Sequence, residues 1–404
     1  MISFEPTEDQ QLIVGTVAEF AKTTLAPRSR EFEKARRIPE DVRKAAHELG
    51  LAMAAVPEAV GGQGLGLLTA SMINEELAYG DSAAPYGLPG FGAFTSAALE
   101  LGTEEQASAL LSPLQAPEAH SIFGAVAWSE RAPNRDYPGF ATVAKKVAGG
   151  YELSGAKSFV GNAELADTFI VFAQVDAKQG WGGFGAFVVR KDNPGLKIGQ
   201  RHETLGLDCA NFGEIQLEGA KVSEADRLQG GGDIVKAVTR FFAKYSLLCA
   251  ARQVGLARSS FDLTREYCDI RKAFGKPIGH FQAVAFNLAD RHIDAESARE
   301  LVRRAAWAWD TNQAENTALL WTAQAVAHAH EVAMRCGDDA VQLHGGAGFM
   351  RDVIVEKMMR DAKQIALTGA TAEHMDQLAA ALELGGALDP ALVLPTPETQ
   401  AVFT

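Results

Sequence analysis

Near its start the chain alternates apolar and polar residues with the period of a helix. Ile13, Val17 and Phe20 fall at i, i+4 and i+7 behind Pro6-Thr7-Glu8-Asp9, where Thr7 suits an N-cap and the two acids suit a first turn. Similar patterns predict helices from about Glu40 to Leu49, closed by Gly50, and over Leu67–Tyr79, closed by Gly80. Residues 1 to about 122 therefore predict an α-helical domain.

From Phe123 to about Ala237 the helical period is lost. Short β-rich runs appear, Phe169-Ile170-Val171-Phe172 and Ala186-Phe187-Val188-Val189, amid Gly149-Gly150, Gly180, Gly182-Gly183, Gly185 and Gly195. They predict an antiparallel β domain over 123–237. Helices then return and are long. Phe281, Val284, Ala285, Leu288 and Ala289 make a stripe expected to be buried, and Thr317–Met334 is rich in alanine, a strong helix former. Gly385-Gly386, followed by Pro390, Pro395 and Pro397, predicts a loose tail from about 386. The order is α, β, α without internal repeat: an α+β chain divided at 1–122, 123–237 and 238–404.

A length of 404 residues suits two or three domains. The formal net charge of −13 argues against non-specific binding to nucleic acid or to an anionic membrane. No run approaches the roughly 20 apolar residues of a membrane span, and Met1–Gln11 carries Glu5, Glu8 and Asp9 with no base, unlike a signal peptide. Cys209, Cys249, Cys268 and Cys336 lie far apart with no CxxC, which suits reduced thiols and makes the cytoplasm the expected compartment.

The glycine clusters Gly62-Gln63-Gly64-Leu65-Gly66 and Gly345-Gly346-Ala347-Gly348 follow no β run inside a βαβ unit, so turns between helices suit them better than nucleotide loops. His328 and His330, two apart on one helix, point in different directions and share no metal; no HExxH or GxSxG occurs, and no metal site is expected. More telling is Arg271-Lys272-Ala273-Phe274-Gly275-Lys276-Pro277-Ile278, followed by Phe281-Gln282. An arginine fork and an aromatic face at a helix break suit a dinucleotide's pyrophosphate and adenine.

That segment resembles the RxxFGxPI…Q pattern of the acyl-CoA dehydrogenase family, at Arg271, Phe274, Gly275, Pro277, Ile278 and Gln282. QxxGGxGF is matched by Gln342, Gly345, Gly346, Gly348 and Phe349, and VEKxxRDAK by Val355 to Lys363. Pro57 to Leu65 resembles PExxGGxGL, and Glu75-Glu76-Leu77-Ala78 resembles the helix after it. The resemblance runs over nearly the whole chain and implies that family's fold: helical domain, β domain, and a C-terminal domain of four-helix type. It implies FAD between the β domain and the C-terminal helices, with Arg271, Phe274, Gln282, Gln342, Gly345 and Gly346 reaching the FAD of a neighbouring subunit. Trp128 and Ser129, within Ala127–Glu130, and Phe159 and Gly161, within Phe159–Asn162, would line the flavin, and Thr371 would contact FAD. A dimer of dimers, homo- or heteromeric, is implied, and an electron-transfer flavoprotein as acceptor. The substrate would be an acyl thioester carried by CoA or a carrier protein. A base would take its α-proton while flavin N5 takes hydride from the β carbon.

The chain departs from the family where that base belongs. Eight residues after Asp361, the glutamate of the EGT motif is Gly369, in Thr368-Gly369-Ala370-Thr371. On the earlier helix that carries the glutamate in other members, a gapless count places Tyr245 and Ser246 at the glutamate and its following arginine. Tyr245 is a weak candidate base, since ionising an ordinary tyrosine at pH 7 costs roughly 4 kcal/mol. TEPxAGSD becomes Ser129–Asp136, and WIT becomes Phe159-Val160-Gly161. Arg135 or Arg240 would then meet a substrate phosphate, with Tyr245, Ser246, Gly369 and Ala370 about the acyl group. The leading expectation is a FAD-dependent dehydrogenase of an acyl thioester. Its alternatives are a half-site subunit that serves a base-containing partner, and a flavin oxidase or monooxygenase on the same scaffold.

Overall fold

The computed structural model describes residues 6–131, 134–385 and 388–395. The N-terminal helices are α1 (Glu8–Phe20), α2 (Ser29–Ala35), α3 (Glu40–Glu48), α4 (Gly66–Gly80), α5 (Ala84–Gly87), α6 (Ala93–Leu101) and α7 (Glu104–Leu111). Thr7 does cap α1, and Gln10 completes a capping box by returning its side chain to the Thr7 backbone N–H.

The β strands are β1 (Gly124–Ala127), β2 (Val143–Val147), β3 (Gly150–Val160), β4 (Thr168–Gln174), β5 (Phe184–Arg190), β6 (Leu196–Arg201), β7 (Gly213–Ser223) and β8 (Arg227–Leu228). They form one sheet in the order β6-β7-β3-β2-β4-β5-β8, with β1 also on β4. The sheet is mainly antiparallel, as expected, with parallel pairing of β1 on β4 from Gly124↔Thr168 to Ala127↔Val171 and a parallel bridge between Val143 and Gln174. A tight hairpin would force antiparallel pairing, but β2 and β3 intervene between β1 and β4 and leave direction free. Strand β4 is buried on both faces. Phe169 and Val171 enter the β domain's own core, whereas Ile170 and Phe172 join the core shared with the helices. That double burial is why its sequence reads as an unbroken apolar run.

The C-terminal helices are α8 (Ile234–Ile270), α9 (Gln282–Asp310), α10 (Glu315–His344), α11 (Val355–Ile365), α12 (Ala372–Leu384) and α13 (Pro390–Val393). A small hairpin, β9 (Lys272–Ala273) and β10 (Lys276–Pro277), separates α8 from α9. Helix α10 packs on α8, α9 and α12, while α4 crosses α8. Gly255 permits that crossing, because a Cβ there would overlap the Glu75 carbonyl oxygen. The Glu75 side chain accepts from Arg258 (2.6 Å) and Arg299 (2.9 Å), so the Glu75-Glu76 pair ties the N-terminal domain to the C-terminal one.

Two expectations need correction. The stripe on α9 is not a buried face of this chain: Ala285 and Ala289 are exposed, Phe281, Val284 and Leu288 are half-covered, and full burial begins at Ala295. The first half of α9 meets α10 through Asn287 and Arg291, which donate to Asp339, and turns Phe286 and Ile293 outward on a side with no cover among the described residues. The tail is also less loose than its prolines suggest. Val393 and Leu394 are buried, and the Trp128 indole N–H donates to the Pro395 carbonyl at 3.1 Å. The rest of the expected tail, with Gly386 and Pro397, lies outside the described residues, as do Ala132 and Pro133.

Candidate active site

A cavity of about 560 Å³ opens between the β domain and helix α8. Trp128, Ser129, Phe159, Gly161 and Asn162 form its β-domain wall; Phe241, Phe242 and Tyr245 of α8 face them, and Leu367-Thr368-Gly369 closes one side. Its far end reaches Tyr86, Gly92 and Ala93.

The β-domain wall is held by a buried ion pair. Lys157 Nζ donates to Glu130 Oε1 (2.9 Å) and to the Trp128 carbonyl (3.0 Å), and Ser158 N–H donates to the Ser129 carbonyl (2.9 Å). Glu130 also accepts from the Ala141 and Thr142 N–H groups at 2.7 and 2.8 Å. The turn after β1 is thereby locked to β3. Trp128 is fixed in turn by edge-to-face contacts with Phe140, Phe172 and Phe242, at centroid distances of 4.8, 4.8 and 4.9 Å. Burial pulls the Lys157 ammonium down to about 8 from 10.5, against the opposing pull of Glu130. A lysine whose folded pKa is lowered costs stability while protonated, and that cost is relieved as pH rises from about 8 to 10.5. The stability gap between the wild type and Lys157→Met should therefore widen across that window in paired thermal melts. A constant or narrowing gap would contradict this assignment.

Of the residues expected at the flavin and substrate, Trp128, Ser129, Phe159, Gly161, Tyr245 and Gly369 line this cavity. Ser246 and Ala370 lie behind it: Ser246 is fully buried, and its Oγ accepts from the Ala370 N–H at 3.0 Å, pinning the 368–371 loop to α8. Thr371 caps α12, its Oγ1 accepting from the His374 N–H. Arg135 is exposed and lines none of the cavity, and Arg240 is engaged by Glu100 at 3.0 Å and Glu315 at 3.6 Å. Neither is a cavity residue. Arg271, Phe274 and Gln282 gather instead at the β9–β10 hairpin. The Tyr267 ring stacks on His344, bringing that hairpin to the same end of the bundle as Gln342, Gly345 and Gly346. Phe274 stands 95% exposed there.

Tyr245 is poorly suited to act as a base. Burial pushes its hydroxyl pKa well above the usual tyrosine range, so it remains a proton donor. Among the described lining residues the one carboxylate is Glu203, whose side chain is 91% exposed at the rim. Asn162, the last residue of the segment expected along the flavin, has its Oδ1 buried in the wall without a partner while its amide donates to the Tyr86 carbonyl at 2.9 Å. Sequence reasoning passed over Tyr86 and Arg252, which stand alone in sequence and belong to no pattern.

The cavity suits a flat polar ring. Asn162 Oδ1 offers an unused acceptor, and Phe159, held at φ 55° and 56% exposed, leaves an aromatic face uncovered. Away from the cavity, exposed Phe274 beside Arg271 presents a stacking face and a phosphate fork. These features fit a flavin dinucleotide, and α–β–α architecture around such a cavity defines a flavoprotein oxidoreductase. Models of the acyl-CoA dehydrogenase N-terminal, middle and C-terminal domains match residues 7–118, 125–220 and 235–383. The chain belongs to the acyl-CoA dehydrogenase family, FAD-dependent oxidoreductases acting on CH–CH groups. It is 34% identical over 381 residues to the protein YngJ of Bacillus subtilis (strain 168), covering 92% of this chain and 97% of that one. Butyryl-CoA dehydrogenase from Megasphaera elsdenii superposes with a TM-score of 0.86 at 28% identity, over 95% of this chain and 100% of that one. The FAD complex of PigA superposes with a TM-score of 0.85 at 25% identity, over 95% of this chain and 99% of that one.

Proposed function

We propose that this chain binds FAD against the Trp128–Ser129 and Phe159–Asn162 wall and oxidises an acyl thioester between its α and β carbons. The observation that carries the reading is the cavity itself: the flavin-side wall and the Tyr245–Gly369 side enclose one continuous space. FAD, when bound, supplies the hydride acceptor. Trp128 and Phe242 fix the wall, and Leu367–Gly369 closes the site on one side. Tyr245 and Tyr86 line the same space.

With no buried carboxylate among the described lining residues, α-proton removal is the slow step. Losing a positioned base costs on the order of 10²- to 10⁴-fold. Anaerobic titration of the FAD-loaded protein with acyl-CoA thioesters should bleach the flavin absorbance, at a rate reduced by about that factor relative to base-equipped members. FAD that binds firmly and is bleached by no thioester would overturn the reading.

The uncovered apolar side of α9, with Phe286 and Ile293 exposed, together with the Phe274 hairpin, supports assembly with further subunits, a dimer of dimers completing each dinucleotide site. Electrons would leave to an electron-transfer flavoprotein. No helix among the described residues is long and apolar enough to cross a membrane, and four buried, unbridged cysteines support a cytoplasmic setting.

A further inference from the structure

Helix α8 carries an arginine into the core beyond the cavity's closed end. Tyr245, Cys249 and Arg252 fall at i, i+4 and i+7, one stripe of the helix, so Arg252 lies about 10 Å further along the axis than Tyr245. Its side chain is completely buried. Nε donates to Asn74 Oδ1 (2.8 Å) and Nη2 to the Phe91 carbonyl (2.5 Å), both neutral acceptors. Nη1 is buried with no partner, and so is the Tyr86 hydroxyl. The guanidinium carbon lies 4.3 Å from the Tyr86 ring centroid and 6.0 Å from that of Tyr245, the two tyrosines that line the cavity. No Asp or Glu among the described residues forms an ion pair with Arg252.

Burying a guanidinium without a counter-ion is strongly unfavourable. Most buried arginines are paired, and elsewhere in this core Lys157 and Lys357 each face carboxylates. Arg252 is the exception; it does not itself line the cavity, but Tyr86, which does, lies over its guanidinium. We infer that the substrate supplies the missing charge: the acyl group ends in a carboxylate, received by Arg252 Nη1 with the Tyr86 hydroxyl. The chain's thioester would thus be the monothioester of a dicarboxylic acid, an inference that rests on the thioester reading above. Tyr245, between the flavin wall and Arg252, would flank the acyl chain.

The test is equilibrium binding, followed by perturbation of the flavin spectrum and by calorimetry, which does not require turnover. FAD-loaded protein is titrated with glutaryl-CoA and adipyl-CoA, and with pentanoyl-CoA and hexanoyl-CoA as neutral counterparts. A site built around an unpaired buried donor discriminates strongly, so the carboxylates should bind roughly 10²-fold tighter or more. Arg252→Gln should abolish the preference, and Arg252→Lys should restore part of it. Should Arg252→Gln fail to fold, Tyr86→Phe keeps the ring on the guanidinium and removes only the hydroxyl; it should reduce the preference about tenfold. Equal binding of charged and neutral thioesters overturns the carboxylate inference and leaves the thioester reading standing. So does a preference that survives these substitutions undiminished. Binding of neither class to FAD-loaded protein overturns both.

Discussion

Replacing Lys357 with methionine should destabilise the protein by on the order of 3–5 kcal/mol, because it leaves two carboxylates buried without their cation. Lys357 Nζ donates to Asp81 Oδ2 (2.9 Å) and Asp361 Oδ2 (2.7 Å), and all three residues are buried. Asp361 also accepts from Ser82 Oγ (2.7 Å) and the Leu207 N–H (2.8 Å), while Asp81 accepts from the Ala83 and Ala84 N–H groups (3.0 and 2.8 Å). Asp81 and Ser82 belong to the N-terminal domain, Leu207 to the β domain, and Lys357 and Asp361 to the C-terminal one. One cation thus joins all three. Burial alone would lower the Lys357 pKa, but the paired carboxylates outweigh it and hold it above the ordinary lysine value. Its stabilising effect is therefore complete at neutral pH and declines only as pH climbs above the unfolded value of about 10.5. Thermal melts of Lys357→Met measure the loss. Adding Asp81→Asn and Asp361→Asn should restore much of it by removing the uncompensated charge. A single variant that melts with the wild type would refute this account.

Glutamate placed at position 369 should not act as a base. Gly369 sits at φ +85°, where a side chain is strained by about 1–2 kcal/mol. A Cβ there would also lie 2.8 Å from Ser246 Oγ. That oxygen cannot swing away without releasing the Ala370 N–H it accepts from. Gly369→Glu is expected to melt earlier than the wild type and to bleach no faster with thioester. Gly369→Glu with Ser246→Ala removes the close contact but keeps the backbone strain and leaves the Ala370 N–H without its acceptor, so it too should melt below the wild type. A rise in bleaching rate of about 10²-fold or more in the single variant would show that the loop adapts and that only the carboxylate was lacking.

The α–β–α order was legible because it rests on pattern: the capped start of α1, the apolar run of β4, and the alanine-rich centre of α10. Pattern failed where neighbours decide. The α9 stripe has helical spacing whether another subunit or this chain's own core covers it. Val393 and Leu394 bury although prolines flank them, because an apolar surface happens to lie within reach. The VEKxxRDAK segment announced a family but not its physical role, which emerged once Asp81 and Leu207, distant in sequence, met Lys357 and Asp361. Trp128, Phe159 and Gly369, chosen by motif position, line one cavity. Arg252 carried no signal, since a lone arginine in a helix ordinarily faces water, and only its burial makes it informative.

Strand β4 bears on how the chain can be handled. A fragment spanning 123–237 would keep Phe169 and Val171 inside, but the face of Ile170, Phe172 and Trp128 would lose the helical part of its cover, Phe242 included. An apolar surface opened in this way invites self-association. The β domain has the outline of a portable module, yet one of its faces is finished only by the helices on either side of it in sequence.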